Sequence, residues 1–160
     1  MHFKAFLYVC FCIFAFNTIL AKTYTKNYYD SGELKSEGWI DDNSKSGYWL
    51  FYYKNGKVSE QGHYKNNKKD AYWHYFSKHG KPTKAGNYIK GKKSKWWLFY
   101  DSKGFINHKC QLSMGIKNGY CLKYINQKLT SAEKYKDGQK IKEWFSFSSF
   151  RSENKLSDLR

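Results

Sequence analysis

The sequence has one proline and only 13 acidic residues against 29 basic ones, which gives a net charge of +16. So few carboxylates make an active site with two facing carboxyl groups, as in glycoside hydrolysis, a poor fit. The five histidines include no pair at metal-ligand spacing, and the chain has no phosphate-binding loop, HExxH motif or nucleophile elbow. We therefore expect no enzymatic activity, no bound metal and no cofactor.

No apolar stretch is long enough to span a bilayer. The longest, residues 5–16, covers 12 residues, follows the basic Lys4 and precedes the small residue Ala21. These features are typical of a secretory signal peptide. We expect residues 1–21 to be removed and the rest to be exported to the periplasm, the cell envelope or the medium. An uncleaved membrane anchor is the alternative.

A sustained 3.6-residue apolar period is also absent, whereas aromatic residues make up 21% of the chain and glycine occurs 12 times. Short runs rich in Tyr, Phe and Trp alternate with turn residues, as in β-strands joined by turns. The rings supply enough apolar surface to exclude disorder. The length of 160 residues is that of one domain. The composition predicts an all-β fold.

A unit of about 24 residues recurs along most of the chain, and such a period indicates a repeat architecture. We predict an elongated, twisted antiparallel meander of about ten strands, built from five hairpin repeats of about 24 residues. The repeats would occupy residues 22–147, with a mobile polar tail at 148–160. The recurring positions are Gly38, Trp49, Gly62, Trp73, Gly86 and Trp97, followed by Cys110, Cys121 and, after a repeat that is one residue shorter than the others, Trp144.

Strand pairing places these positions in one row across the sheet. Asn55-Gly56 has the signature of a type I′ hairpin turn, and counting outward from it puts Trp49 opposite Gly62. The following turn puts Gly62 opposite Trp73. Cross-strand neighbours lie about 4.5–5.5 Å apart, so two adjacent indoles would collide. We interpret the glycines as spacers and count the glycines and tryptophans of the row, together with Trp144 from the repeat alignment, as the structural core of the repeats.

The same row predicts a disulfide. It places Cys110 directly opposite Cys121 on neighbouring strands, at a separation that suits an S–S bond. Export would bring the chain to a compartment where such bonds persist. Two free thiols on one buried face are the alternative.

Lysines near the second turn of successive repeats should form a basic ridge along one edge of the sheet. The ridge is either a solvated edge that resists aggregation or a binding surface for lipid headgroups, acidic glycan or an acidic protein. A row of rings on the face opposite the tryptophans is either a second packed face or a platform for sugars or peptides. The lysines are Lys68, Lys69, Lys92, Lys93 and Lys117, and the rings are Tyr48, Tyr72, Trp96 and Tyr120.

The clearest copy of the repeat reads GYWLFY at 47–52, NGK at 55–57 and GHY at 62–64. This pattern resembles the MORN repeat in its bacterial variant form. Degraded copies lie at 119–124 and 135–144, and the resemblance covers roughly residues 28–147. Similar bacterial proteins are commonly catalogued as antitoxin components of toxin–antitoxin systems, and the eukaryotic repeats are linked to membrane association and scaffolding. The resemblance therefore implies an interaction module.

These observations together predict a non-catalytic, exported binding or scaffold module for a protein or an anionic envelope component such as a lipid headgroup or an acidic glycan. An antitoxin-like protein that neutralises a toxin by direct binding is the alternative. Interleaved aromatic and basic residues also suit single-stranded nucleic acid, but export argues against that partner. A monomer and an edge-paired oligomer both remain open.

Overall fold

The computed structural model describes residues 21–159, which form one open antiparallel sheet of eleven strands in sequential order. The predicted all-β meander of hairpins is confirmed. The strands are β1 (Thr23–Tyr28), β2 (Leu34–Asp41), β3 (Ser44–Tyr52), β4 (Val58–Lys65), β5 (Lys68–Phe76), β6 (Pro82–Ile89), β7 (Lys92–Tyr100), β8 (Ile106–Ser113), β9 (Ile116–Ile125), β10 (Lys128–Lys136) and β11 (Gln139–Trp144). Strand β1 has no counterpart among the ten strands of the five predicted hairpins and raises the count to eleven. Residues 1–20 of the predicted signal peptide lie outside the described residues.

The second turn of each repeat is a tight two-residue turn at one edge of the sheet. Between β4 and β5, Asn66 and Asn67 have φ of 49° and 60°, the left-handed pair that a type I′ turn requires. Backbone hydrogen bonds join successive turns of this edge, for example from Gly91 N to Lys69 O at 2.9 Å. The second turns therefore follow one another along a single edge.

The predicted type I′ turn at Asn55-Gly56 is wrong. Only Gly56 has a positive φ, 77°. Hydrogen bonds from Gly56 N to Tyr53 O (2.9 Å) and from Tyr53 N to Lys57 O (2.8 Å) close a longer loop, in which glycine takes the left-handed position after the turn. In the last repeat one residue is missing, and a two-residue turn replaces this loop. That change of turn explains why the last repeat is shorter than the others.

The glycine–tryptophan row crosses the sheet as one buried line. Trp49, Trp73 and Trp97 are each 0% exposed. A Cβ atom at Gly62 would lie less than 3.0 Å from the indole of Trp73, so only glycine fits beneath the ring. The indole Nε1 of Trp73 donates a hydrogen bond of 3.0 Å to the carbonyl of His63. Backbone and ring therefore hold each other in place.

Beyond Trp97 the row continues without tryptophan. Cys110 lies opposite Trp97 on one side and opposite Cys121 on the other, and the two cysteines are joined by a disulfide. The next two positions of the row are Glu133 and Glu143, which face each other across β10 and β11. The core thus changes from aromatic to polar toward the C-terminal end.

Trp144 does not belong to this row. It pairs with Ala132 and packs with Tyr120 on the other face of the sheet, where it is 5% exposed. The row position in β11 is Glu143, one residue earlier. Because side chains alternate between faces along a strand, an offset of one residue moves a side chain to the other face. The repeat alignment placed Trp144 in one column with Trp49, Trp73 and Trp97; the residue is buried, but it lies on the other face.

The polar tail expected at 148–160 is instead an ordered cap on the sheet. Helix α1 (Phe147–Glu153) begins after Ser146, whose hydroxyl accepts a hydrogen bond from Ser149 N, and a 3₁₀ helix (Leu156–Leu159) follows. Phe150 is 4% exposed. Its ring centroid lies 5.7 Å from Tyr120 and 5.4 Å from Trp144. The expectation of a mobile tail overlooked this single apolar anchor among serines and charges.

Candidate binding surface

Four lysines line the tryptophan face, which is the face that carries Trp49, Trp73 and Trp97. The set, called here the lysine ladder, recurs once per repeat on alternate strands and consists of Lys45, Lys69, Lys93 and Lys117. The first three precede a tryptophan by four residues, and their Nζ atoms lie 4.6, 4.0 and 4.8 Å from its ring centroid. Lys117 lies 4.4 Å from the ring of Tyr135 instead. Each ammonium group thus covers a ring on a face over which residues 21–159 place no second layer.

Burial lowers the pKa of Lys45, Lys69 and Lys93 from the ordinary lysine value. For Lys69 the carboxylate of Glu60, 2.7 Å away, opposes this effect. Within residues 21–159, the other three ladder lysines make no ion pair. Attraction of an ammonium to a ring face contributes about 0.5–2 kcal/mol but does not neutralise the charge. Most of the ladder can therefore still accept an anion.

Aromatic side chains fill the space between the ladder and the next strands. The ring centroids of Tyr64 and Trp73 lie 5.1 Å apart, and those of Tyr88 and Trp97 lie 5.2 Å apart. The half-buried hydroxyls of Tyr75 and Tyr88 hydrogen-bond to each other at 2.7 Å. We call these half-buried rings the aromatic strip, and its members are Phe51, Tyr64, Tyr75, Tyr88 and Phe99.

The predicted basic ridge is divided between the two faces. Lys69, Lys93 and Lys117 belong to the ladder and are half-buried, whereas Lys68 and Lys92 are exposed. Strand alternation causes the split, because each exposed lysine directly precedes a ladder lysine. Applied to the lysines, this two-residue alternation would have predicted the division from sequence.

The four rings predicted to share the face opposite the tryptophans have different environments. Tyr48 and Tyr72 are 40% and 38% exposed, and Tyr120 is 4% exposed beneath α1. Trp96 is half-buried, with the Nζ atom of Lys109 4.8 Å from its ring centroid. The opposite face is therefore packed at its C-terminal end and open toward its N-terminal end.

A polar network that sequence reasoning missed occupies the C-terminal end of the tryptophan face. Glu133 is 3% exposed and lies 3.3 Å from Lys123 and 3.5 Å from Lys140. Glu143 accepts hydrogen bonds of 2.7 Å from Lys140 and from Ser131. These bonds lower the pKa of Glu143 to about 2. Such a carboxyl is suited to ion pairing rather than to proton donation. Continuing the row pairing past Cys121 would have brought the two glutamates together.

This network predicts a stability loss in acid. Because the folded carboxyl of Glu143 binds its proton less readily than the unfolded one, its contribution is present above about pH 4.5 and is lost as the pH falls toward about 2. Between pH 6 and pH 2, the melting temperature measured by circular dichroism should therefore fall less in the Glu143→Gln variant than in the parent protein. Asp41→Asn, at the exposed end of β2, is the matched control. Parallel losses in parent and Glu143→Gln would contradict the role of the network.

Three of the four histidines in residues 21–159 contact a ring or are partly buried, and the fourth, His79, is exposed in a turn. His63 and His74 lie with ring centroids 5.0 and 4.9 Å from Tyr48 and Tyr72, and burial lowers the pKa of His108. Among residues 21–159, no three His, Cys, Asp or Glu side chains are grouped so that they could hold a metal ion. In the same part of the chain, every helix is too short or too polar to cross a membrane.

No protein-family model and no curated protein matches the chain. The resemblance to MORN variant repeats is therefore one of repeat motifs alone.

Proposed function

We propose that the protein is a non-catalytic, exported binding module of the MORN variant kind, which holds an anionic component of the cell envelope on its tryptophan face. The observation that carries this proposal is the lysine ladder. Ammonium groups recur at one position of four successive repeats, next to a continuous strip of rings. A repeated cation suits a ligand with repeated negative charge.

Spacing supports a linear ligand. Consecutive ladder lysines lie on alternate strands, β3, β5, β7 and β9, and two inter-strand spacings amount to about 9–10 Å. A polymer with carboxylate or phosphate groups at a comparable interval could pair with several lysines at once. The aromatic strip offers apolar ring faces with polar hydroxyls, which suit the faces of sugar rings. We therefore favour an acidic glycan over a lipid headgroup.

The disulfide supports export. Cys110 and Cys121 are bonded, and such bonds persist in the periplasm and outside the cell but are rare in the cytosol. The apolar run at 5–16 with its basic and small-residue flanks is consistent with the same route.

Binding can be tested with a polyuronic acid and with phosphatidylglycerol vesicles as probes. Lys45→Met/Lys93→Met keeps much of each apolar stem over its tryptophan while removing the charge. We expect this double variant to bind the polyuronic acid roughly tenfold more weakly, because two partly desolvated ion pairs are lost. Binding by the parent should weaken with added salt. Calorimetric titration measures both effects.

The matched control is Lys78→Met/Lys103→Met, which removes two exposed charges near the first turns. Equal losses in the two double variants would mean that net charge, not the ladder, attracts the ligand. Binding to vesicles but not to the polyuronic acid would identify a lipid headgroup as the ligand.

A second candidate function is antitoxin-like neutralisation of a partner protein. The open part of the opposite face favours it, because Tyr48 and Tyr72 are exposed there. Co-purification with one protein that resists high salt would favour this candidate, since apolar contacts are not screened.

A further inference from the structure

The opposite face already holds one helix. Phe150 of α1 contacts Tyr120 and Trp144, and both rings form one buried cluster with Ala132. The hydroxyl of Tyr120 donates a 2.7 Å hydrogen bond to Asn154 Oδ1 at the end of the helix. We call this arrangement of Tyr120, Ala132 and Trp144 the α1 site. It shows which kind of segment this face accepts, namely a short helix anchored by one aromatic side chain.

The repeat reproduces this site two units earlier in the chain. Tyr72 occupies the position of Tyr120 two repeats before it. Ala85 pairs with Leu98 in the same way that Ala132 pairs with Trp144. Tyrosine, alanine and a large apolar residue therefore lie on three consecutive strands, β5 to β7, as they do on β9 to β11. We call Tyr72, Ala85 and Leu98 the second site.

No segment of residues 21–159 covers the tyrosine of the second site as α1 covers its counterpart. Tyr72 is 38% exposed, against 4% for Tyr120. The row through the middle of this face is uncharged from β3 to β7. Its members are Leu50, Gln61, His74, Ala85 and Leu98.

Positive charge borders the second site. Lys65 and Lys68 lie directly opposite each other on β4 and β5, on the face that carries Tyr72, and both are exposed. Like charges at opposed positions repel, so a negative group placed between them would be favoured. Helix α1 makes an ion pair of this type with the sheet: the carboxylate of Glu153 lies 2.6 Å from the Nζ atom of Lys142 in β11.

We propose that the second site binds an acidic amphipathic helix of another protein, which packs one aromatic side chain against the exposed ring of Tyr72 and against Leu98, above the buried Ala85, and pairs its carboxylates with Lys65 and Lys68. Two observations indicate this kind of partner. Helix α1 uses an aromatic anchor on the corresponding surface, and Lys65 and Lys68 make no ion pair within residues 21–159. The site is distinct from the lysine ladder, because the two lie on opposite faces of the sheet.

The repeat at Tyr48 is a natural comparison. Tyr48 is 40% exposed, like Tyr72, but the alanine position of this repeat is occupied by Gln61. A longer polar side chain there offers an aromatic anchor a less apolar contact surface than alanine does. Selective binding at the second site should therefore depend on Tyr72 and not on Tyr48.

The probe is a synthetic peptide that copies residues 146–159 with Arg151→Glu and Lys155→Glu, added to the purified protein. We expect saturable binding in which Tyr72→Ala in the protein, or Phe150→Ala in the peptide, weakens affinity at least about tenfold. Tyr48→Ala should change affinity less than about threefold. The unmodified peptide should bind more weakly than the acidic one, and the difference should shrink in high salt.

Nuclear magnetic resonance locates the bound peptide. Shifts confined to Tyr72, Ala85, Leu98 and their neighbours support the proposal. Shifts at Trp144, which would mean that the peptide displaces α1, overturn it, as do shifts on the tryptophan face. Equal effects of Tyr72→Ala and Tyr48→Ala, self-association of the protein through this face, or no binding at millimolar peptide would also overturn it.

Discussion

Replacing Trp73 by alanine is expected to lower the free energy of unfolding by about 3–5 kcal/mol. The side chain is 0% exposed, lies flat over Gly62 and donates a hydrogen bond to His63 O. Its removal leaves a cavity on a face where the described part of the chain supplies no second layer to collapse into it. Denaturant titration at constant pH measures the change, and an unaltered slope would show that the unfolded state is unaffected.

The neighbouring ring supplies the control. Tyr72→Ala removes an aromatic side chain from the same strand, but one that is 38% exposed on the other face. Its cost should stay below about 1 kcal/mol. A loss within error for Trp73→Ala, or equal losses for the two variants, would show that the tryptophan is not part of the core.

Gly62 tests the same contact from the opposite side. A methyl group there would overlap the indole of Trp73, so Gly62→Ala alone should destabilise the protein. In the Trp73→Ala background the methyl group would occupy vacated space, and the second substitution should cost less. We expect a coupling free energy of about 1–3 kcal/mol in the double-mutant cycle. Additive losses would mean that ring and glycine do not touch.

Part of the fold could be predicted from the length of the repeat and from the pairing of neighbouring strands. The repeat length determines which positions share a row, and the size of an indole requires glycine beside it, so Gly62, Trp73 and Gly86 could be placed before any coordinates. The pairing of Cys110 with Cys121 came from the same arithmetic. These inferences needed only local geometry.

The parts that failed depended on single-residue details. Row partners joined by the second turn are 11 residues apart in Gly86 and Trp97 but 10 apart in Glu133 and Glu143, because the bulge in β11 is one residue shorter, so alignment by sequence matched Trp144 to a row that Glu143 occupies. Helix α1 has only seven residues and one buried side chain, Phe150, so it leaves no periodic signal. Repeat logic predicts an average unit and is weakest where the array ends.

The ladder lysines link stability to function. Their ammonium groups contact the tryptophans that hold the sheet together, so a variant such as Lys69→Ala would uncover Trp73 as well as remove a charge. Methionine variants separate the two effects. A ligand bound along the ladder would cover the strip further and should raise the melting temperature.

Reduction of the Cys110–Cys121 disulfide is expected to lower the free energy of unfolding by roughly 3 kcal/mol, through the greater entropy of the unfolded chain once the loop between these residues opens. The two sulfur-bearing side chains are 0% exposed next to Trp97, so a reductant should act slowly on the folded protein. Unfolding curves with and without reductant measure the effect.

The variant Cys110→Ala/Cys121→Ala is the control, because it should show a comparable loss that no reductant increases. An alkylating reagent that modifies both thiols of the untreated, folded protein would contradict the bond. So would unfolding curves that superimpose with and without reductant. A loss of roughly 3 kcal/mol would matter for location as well as for stability, because a sheet that depends on this bond would fold best in an oxidising compartment, which is what the export proposal requires.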